Sequence, residues 1–111
     1  MSDRGQHEDN PAHLAPLAEA LRADPEKAAY YNGLLAPLRR YDDEHHGDLM
    51  KTLDAYLRHG GNSTRTANAL FIHRNSLRYR LARIQALTGL DHDDPDVRLA
   101  LQVALLIIRK T

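Results

Sequence analysis

The stretch NSTRTANALFIHRNSLRYRLARIQAL, residues 62–87, decides the fold. In its second half Leu77, Leu81, Ile84 and Leu87 fall at i, i+4, i+7 and i+10. At about 100° per residue these four make one apolar stripe on a helix. The far side carries Asn75, Tyr79, Ala82, Arg83 and Ala86, flanked by Ser76 and Arg78. Tyr79 lies roughly 200° from Leu77 around such a helix, which puts a large aromatic ring where solvent should be. The first half is small-faced, with Ala67, Ala69 and Leu70, and small residues let two helices cross closely. Asn62 or Ser63 starts that shorter helix, and Phe71-Ile72-His73 forms the turn between the two.

Charge sets this stretch apart from the rest of the chain. Residues 55–90 contain no Asp or Glu but hold Arg58, Arg65, Arg74, Arg78, Arg80 and Arg83. The whole chain has 15 basic and 15 acidic side chains, so what lies outside this block carries 9 against 15, a balance of −6. A net charge of zero therefore hides a +6 block in an acidic frame, and a polyanion is the first partner to consider.

Composition bounds the remaining choices. The 111 residues suffice for one domain, or a small domain with an appendage. Leucine dominates, β-branched residues are few, and one Phe and no Trp are present, which favours an all-helical fold with a modest core. The absence of cysteine excludes disulfides and thiolate metal sites. The polar, acidic N-terminus does not read as a signal peptide, and no apolar run approaches the roughly 20 residues needed to span a bilayer. A cytoplasmic location is the expectation, nucleoid-associated if DNA is the partner.

Working outward, residues 1–10 read as a disordered polar tail, 11–45 as an N-terminal helical segment and linker, and 46–111 as the unit built on the central stretch. In the second segment Leu14, Leu17, Ala18 and Leu21 recur at helical spacing, with a start at Pro11 or near Pro16. Asp24-Pro25-Glu26 starts another helix, expected to stop at Asn32-Gly33 and to restart around Pro37. Residues 42–47 (DDEHHG) read as a polar connector. Asp48 is expected to cap a helix reaching Arg58, closed by His59-Gly60-Gly61. Asp94-Pro95 begins the last helix, ending near Arg109.

That last helix is apolar nearly all round. Val97, Ala100, Leu101, Ala104, Leu105 and Ile108 form one stripe, and Leu99, Val103 and Leu106, with Ile107 at the edge, form a second. The second stripe has three possible covers: the N-terminal helices, a second copy of the chain through Leu99, Val103, Leu106 and Ile107, or a further domain.

The central pair fits DNA recognition. In such a pair the leading turn of the second helix reaches base edges while flanking parts grip phosphate. His73, Arg74, Asn75 and Ser76 occupy that leading turn, with Arg78 and Tyr79 one turn on. Arg can read guanine and Asn adenine through paired hydrogen bonds, and Tyr79 suits a sugar-phosphate backbone or a thymine methyl. Arg58, Arg65 and Arg83, with Asn62 and Ser63, are placed for phosphate, whereas Arg80 lies beside the apolar stripe and can anchor the helix to its neighbour. The competing reading is a solvated basic face. Ordinary surface helices, however, mix both signs to gain i,i+4 pairs, and this one does not.

At these residues the chain resembles the C-terminal helix-turn-helix of PucR/CdaR-type bacterial transcriptional regulators. Their pattern runs close to Tyr-Leu-x-x-Gly-Gly-Asn, then Ala-x-x-Leu, then His-Arg-Asn-(Thr or Ser)-Leu-x-Tyr-Arg-Leu. Tyr56-Leu57-Arg58-His59-Gly60-Gly61-Asn62, the segment 67–70 and the segment 73–81 match it, with Ser76 where Thr is commoner. Asp94-Pro95 and residues 98–105 continue the match, which covers roughly 34–109. A Fis-type helix-turn-helix is similar at greater distance. The resemblance implies an all-α domain built on a Fis-like helix-turn-helix, with extra N-terminal helices and a hydrophobic C-terminal helix. It also implies sequence-specific binding of double-stranded DNA in transcription regulation, with a recognition helix at about 74–87 in the major groove; a homodimer is expected from the second stripe of the last helix. Members carry sensory domains upstream. None is present in these residues, so a terminal fragment or an unusually short member is expected.

Other constellations are weaker. His45-His46 beside Asp42, Asp43 and Glu44 lacks a firm ligand spacing, and capping accounts for Asp91-His92-Asp93-Asp94. No Gly-rich phosphate loop or catalytic triad pattern occurs, so neither an enzyme nor a cofactor is expected. The alternative to a DNA binder is a helical protein-interaction or dimerisation module that does not touch nucleic acid.

Overall fold

The computed structural model of the chain describes residues 13–109; the tail expected at 1–10 lies outside them. Six α-helices occur among the described residues: α1 (Ala15–Arg22), α2 (Pro25–His45), α3 (Leu49–Arg58), α4 (Ser63–Leu70), α5 (Arg74–Thr88) and α6 (Pro95–Ile108). None is long and apolar enough to cross a membrane.

The all-α expectation holds, but the helix count at the N-terminal side was wrong. Asn32-Gly33 does not stop a helix and Pro37 does not restart one, because α2 runs unbroken through both. Asp24 caps it as expected, accepting from the Glu26 and Lys27 amides at 3.1 and 3.2 Å. Burial overrides the breakers. Leu35 and Leu38 are completely enclosed, and Tyr31 and Leu34 pack against the same core. Gly in a helix interior costs about 1 kcal/mol and Pro about 3, while each enclosed leucine contributes about 1.5–3. The two breakers also relieve each other. The ring of Pro37 crowds the carbonyl four residues back, which belongs to Gly33, an exposed residue without a Cβ whose carbonyl can be hydrated.

The expected connector at 42–47 is mostly helix, and its tail is a capping device. His46 takes a left-handed conformation (φ 51°) that ends α2. Asp48 stands at the N-cap of α3 but its side chain makes no capping bond. Asp42 does that work from α2, its carboxylate accepting from Leu49 N at 2.8 Å and Met50 N at 2.9 Å. A negative charge at a helix N-terminus is favourable, and here it also ties α2 to α3.

The core joins α2 to the helices of the central stretch. Leu35, Leu38, Leu53, Leu77, Ile84 and Leu101 are its most enclosed large side chains. The stripe read from the sequence in α5 faces inward at Leu77, Leu81 and Ile84, with Leu87 half-buried. The last helix packs mainly on α2, while α4 packs on α3 and α5. At the α3–α4 corner Gly60 and Gly61 have φ of 63° and 79°, as the His59-Gly60-Gly61 stop required.

The helix α1 closes the end of α6. Arg22 donates from Nε to Ile107 O at 2.7 Å and from Nη2 to Leu106 O and Arg109 O at 3.1 and 2.8 Å, satisfying carbonyls that the helix end leaves open. The N-terminal helices therefore cover part of the second apolar stripe. Ile107, grouped with a dimer surface in the sequence reading, is only 6% exposed. Leu99 remains 61% exposed, and it lines an open apolar groove of about 350 Å³ with Leu14, Leu17, Val103 and Leu106.

Candidate nucleic-acid interface

Side chains on the outer face of α5 are oriented by hydrogen bonds. At its start His73 is the N-cap, its Nδ1 accepting from Asn75 N at 3.0 Å. An accepting Nδ1 places the proton of the neutral ring on Nε2, leaving that N–H as a donor. Asn75 Oδ1 accepts from Arg78 Nη1 at 3.2 Å, so the two polar side chains one turn apart are already oriented. Arg74 and Ser76 are exposed, and Arg74 has no hydrogen-bond or ion-pair partner among the described residues.

Further along, Tyr79 is 63% exposed, as its angular position required. Its hydroxyl accepts from Arg83 Nη2, and that hydrogen bond holds the Arg83 guanidinium even above its ordinary range. The Arg83 guanidinium carbon sits 5.4 Å from the Tyr79 ring centre and 5.6 Å from that of Tyr41 on α2. Tyr41 is in turn stacked on His45 at 4.3 Å. Arg83 is thus positioned by an aromatic pair rather than hanging free in solvent.

Arg80 turns the other way, Nη1 donating to Thr52 Oγ1 at 3.2 Å, and Thr52 is fully buried and also donates to Asp48 O. This is the anchoring role expected for it. The pattern over α5 is consistent: Arg78, Arg80 and Arg83 end on an amide, a hydroxyl and a phenol, and Arg74 on nothing. None of the four meets a carboxylate among the described residues, so their charge is not neutralised within the fold.

The remaining sequence-derived residues divide. Asn62 caps α4 by accepting from Arg65 N at 2.9 Å, with Ser63 next to it in the first turn. Arg65 is exposed and has no ion pair among the described residues. Arg58 is different. Its Nε lies 3.0 Å from Asp54 Oδ2, and it lines the groove beside Leu14 and Leu99. Asp54 lies one helical turn before Arg58 on the same helix, just outside the acid-free window.

Two features escaped the sequence reading. Tyr41 lies 42 positions before Arg83, and no local pattern connects them. Phe71 is the second. It holds the turn between α4 and α5 with φ 57° and is 94% exposed. A signal for it existed, since the helix stop there has no glycine.

A polar knot fastens the corner preceding α4 to the start of α6. Tyr56 Oη donates to Asp93 Oδ1 at 2.8 Å, and Arg98 reaches His92 O at 3.0 Å and Gly60 O at 3.5 Å. Burial and then the bond to Asp93 push the Tyr56 phenol up; donation from Tyr56 holds the Asp93 carboxyl down.

Two crossing helices with a short turn, the second bearing an unneutralised basic outer face, define a helix-turn-helix unit of the nucleic-acid-reading kind. Comparison with known proteins agrees: the PucR C-terminal helix-turn-helix domain matches residues 49–107. The chain belongs to that family, whose named relatives are transcriptional regulators. It is 46% identical over 93 residues to the carbohydrate diacid regulator of Escherichia coli (strain K12), covering 83% of this chain and 23% of that protein. It is 33% identical over 111 residues to the proline-responsive transcriptional activator PutR of Bacillus subtilis (strain 168), covering 96% and 27%. The DNA-binding transcriptional activator AdeR of the same organism is 32% identical over 73 residues, covering 66% and 17%. The chain therefore spans about a quarter of the length of the first two relatives. No solved structure matches it significantly.

Proposed function

We propose that this chain binds double-stranded DNA with sequence preference, as the DNA-reading part of a bacterial transcriptional regulator. The observation that carries this reading is the outer face of α5, where every arginine ends on a neutral partner or on none. A fold that leaves such charge uncompensated binds polyanions by releasing their counterions. Residues 74–87 enter the major groove. His73, Arg74, Asn75 and Ser76 face base edges, with Arg78 and Tyr79 behind them, and Arg65, Ser63 and Arg83 meet phosphate. Asn62 contributes chiefly by capping α4. Arg58 contributes least, because Asp54 already holds it.

The chain acts by binding rather than by catalysis, in the cytoplasm and on the nucleoid. It pairs with a second copy through Leu99, Val103 and Leu106, joined by Leu14 and Leu17, since these line the open groove. A two-fold pair presents two reading helices to half-sites about 34 Å apart. The signals named for its relatives, a carbohydrate diacid and proline, belong to those longer proteins.

Titration of duplex binding against salt tests the reading. Several phosphate contacts give a steep negative slope of log affinity on log salt, about −0.9 per contact. A flat slope, or no binding at low salt, sinks it in favour of a protein-interaction module.

A further inference from the structure

We propose that Phe71 is a DNA-contacting residue, its ring seated against apolar DNA surface at the edge of the groove that α5 enters. The inference rests on the DNA-binding reading above and adds to it a contact outside the recognition helix.

The local fold has no use for this side chain. The α4–α5 turn is closed by Ile72 N donating to Ala67 O at 3.0 Å and Phe71 N to Asn68 O at 3.2 Å, the usual helix stop with one left-handed residue. That residue is Phe71 at φ 57°, a conformation suited to Gly or Asn and disfavoured for a bulky side chain. Nor does the ring pack inside: 94% of the residue faces solvent, whereas the neighbouring Ile72 packs against the core. A glycine would thus satisfy the turn better and expose less apolar surface. The ring answers to something outside the chain.

Position says what that is. Phe71 stands two residues before His73, the cap of α5, and three before Arg74, so its Cα lies no more than about 7 Å from that of the helix cap. In a docked helix-turn-helix the first helix crosses the backbone and the second enters the groove by its leading turn, so the turn between them lies next to both contacts. There an apolar ring meets two kinds of carbon, the C5-methyl of thymine and the deoxyribose. It meets no charge, so its contribution is independent of salt.

The test uses the full chain, Phe71→Gly and Phe71→Asn, and a duplex that the unaltered chain selects from a random pool. Both variants are expected to melt at the same temperature or higher. Both are expected to bind the selected duplex about tenfold more weakly, the loss that withdrawing one apolar side chain implies. The slope of affinity on salt stays unchanged. Replacing thymine by deoxyuracil in the duplex separates the two contacts. If the ring meets a methyl, the unaltered chain loses more affinity than the variants; if it meets sugar, all three respond alike. Variants that bind the selected duplex as tightly as the unaltered chain overturn the proposal and assign the ring to a protein partner. Lower melting temperatures in both overturn it too, by giving the ring a role in folding. Failure of the unaltered chain to select or bind any duplex is a different result, and it removes the DNA-binding reading itself.

Discussion

Arg74 and Arg65 are both exposed arginines without an acidic partner among the described residues, yet their positions give them different work. On the proposed reading, Arg74 at the start of α5 reaches base edges and Arg65 in the first turn of α4 meets phosphate. Arg74→Ala is expected to relax sequence preference, at about 1–3 kcal/mol for the preferred base. Arg65→Ala should weaken all duplexes alike and flatten the salt slope by about one contact. Binding assays on selected and scrambled duplexes check both, and equal losses on the two duplexes for Arg74→Ala would remove it from base reading. Glycines offer a matched pair in the fold. At Gly33 a methyl meets nothing within 4 Å, so Gly33→Ala should raise stability by about 0.5–1 kcal/mol. At Gly61, with φ 79°, a methyl would overlap the Arg98 guanidinium, and Gly61→Ala should lower stability by about 1–2 kcal/mol. Thermal melting of the two variants in opposite directions is the readout.

One polar contact between elements depends on pH. The Tyr56–Asp93 bond joins α3 to the loop before α6. The Tyr56 phenol is raised in the folded state, so its contribution is complete below about pH 10 and is lost as pH rises through the folded value. The Asp93 carboxyl is lowered, so its contribution is present above the ordinary carboxylate value of about 4 and is lost as pH falls through the lower folded one. Tyr56→Phe should therefore destabilise by about 1 kcal/mol near neutrality. The gap to the unaltered chain should narrow above pH ~10 and below pH ~4. Denaturant melts across pH measure it, and a gap constant with pH would show that the bond is not what the phenol contributes. At the same scale, legibility in the sequence varied with the source of stability. The helices α4, α5 and α6 lie where their caps and periodicity put them, because Asn62, His73 and Asp94 act on their own next residues. The single long α2 was not legible, because Leu35 and Leu38 outweigh local breakers only when other helices enclose them.

For the molecule as a whole, the largest consequence lies in the apolar groove between α1, α3 and α6. Leu99, Val103 and Leu106 line it and Ile107 does not, being enclosed within the chain. A triple change of Leu99, Val103 and Leu106 to polar residues should convert a dimer to a monomer in solution-mass measurements while leaving the fold intact. An unchanged dimer would exclude this groove as the interface. Monomeric variants should also lose preference for palindromic DNA, since only a pair spans two half-sites.

Sequence by itself determined the helix pair, the inward stripe of α5 and the acid-free basic face, together with the family they mark. All of these depend on neighbours within a few positions along the chain, so periodicity and spacing carry them. The tertiary structure alone decided that α2 is continuous, that Asp42 rather than Asp48 caps α3, and that Tyr41 positions Arg83. It also decided that Arg58 faces the groove lined by Leu14 and Leu99 and that Ile107 is inside. Exposure of Phe71 belongs to the same set. Each turns on which distant surfaces meet and which are left bare, and local spacing along the chain does not encode that.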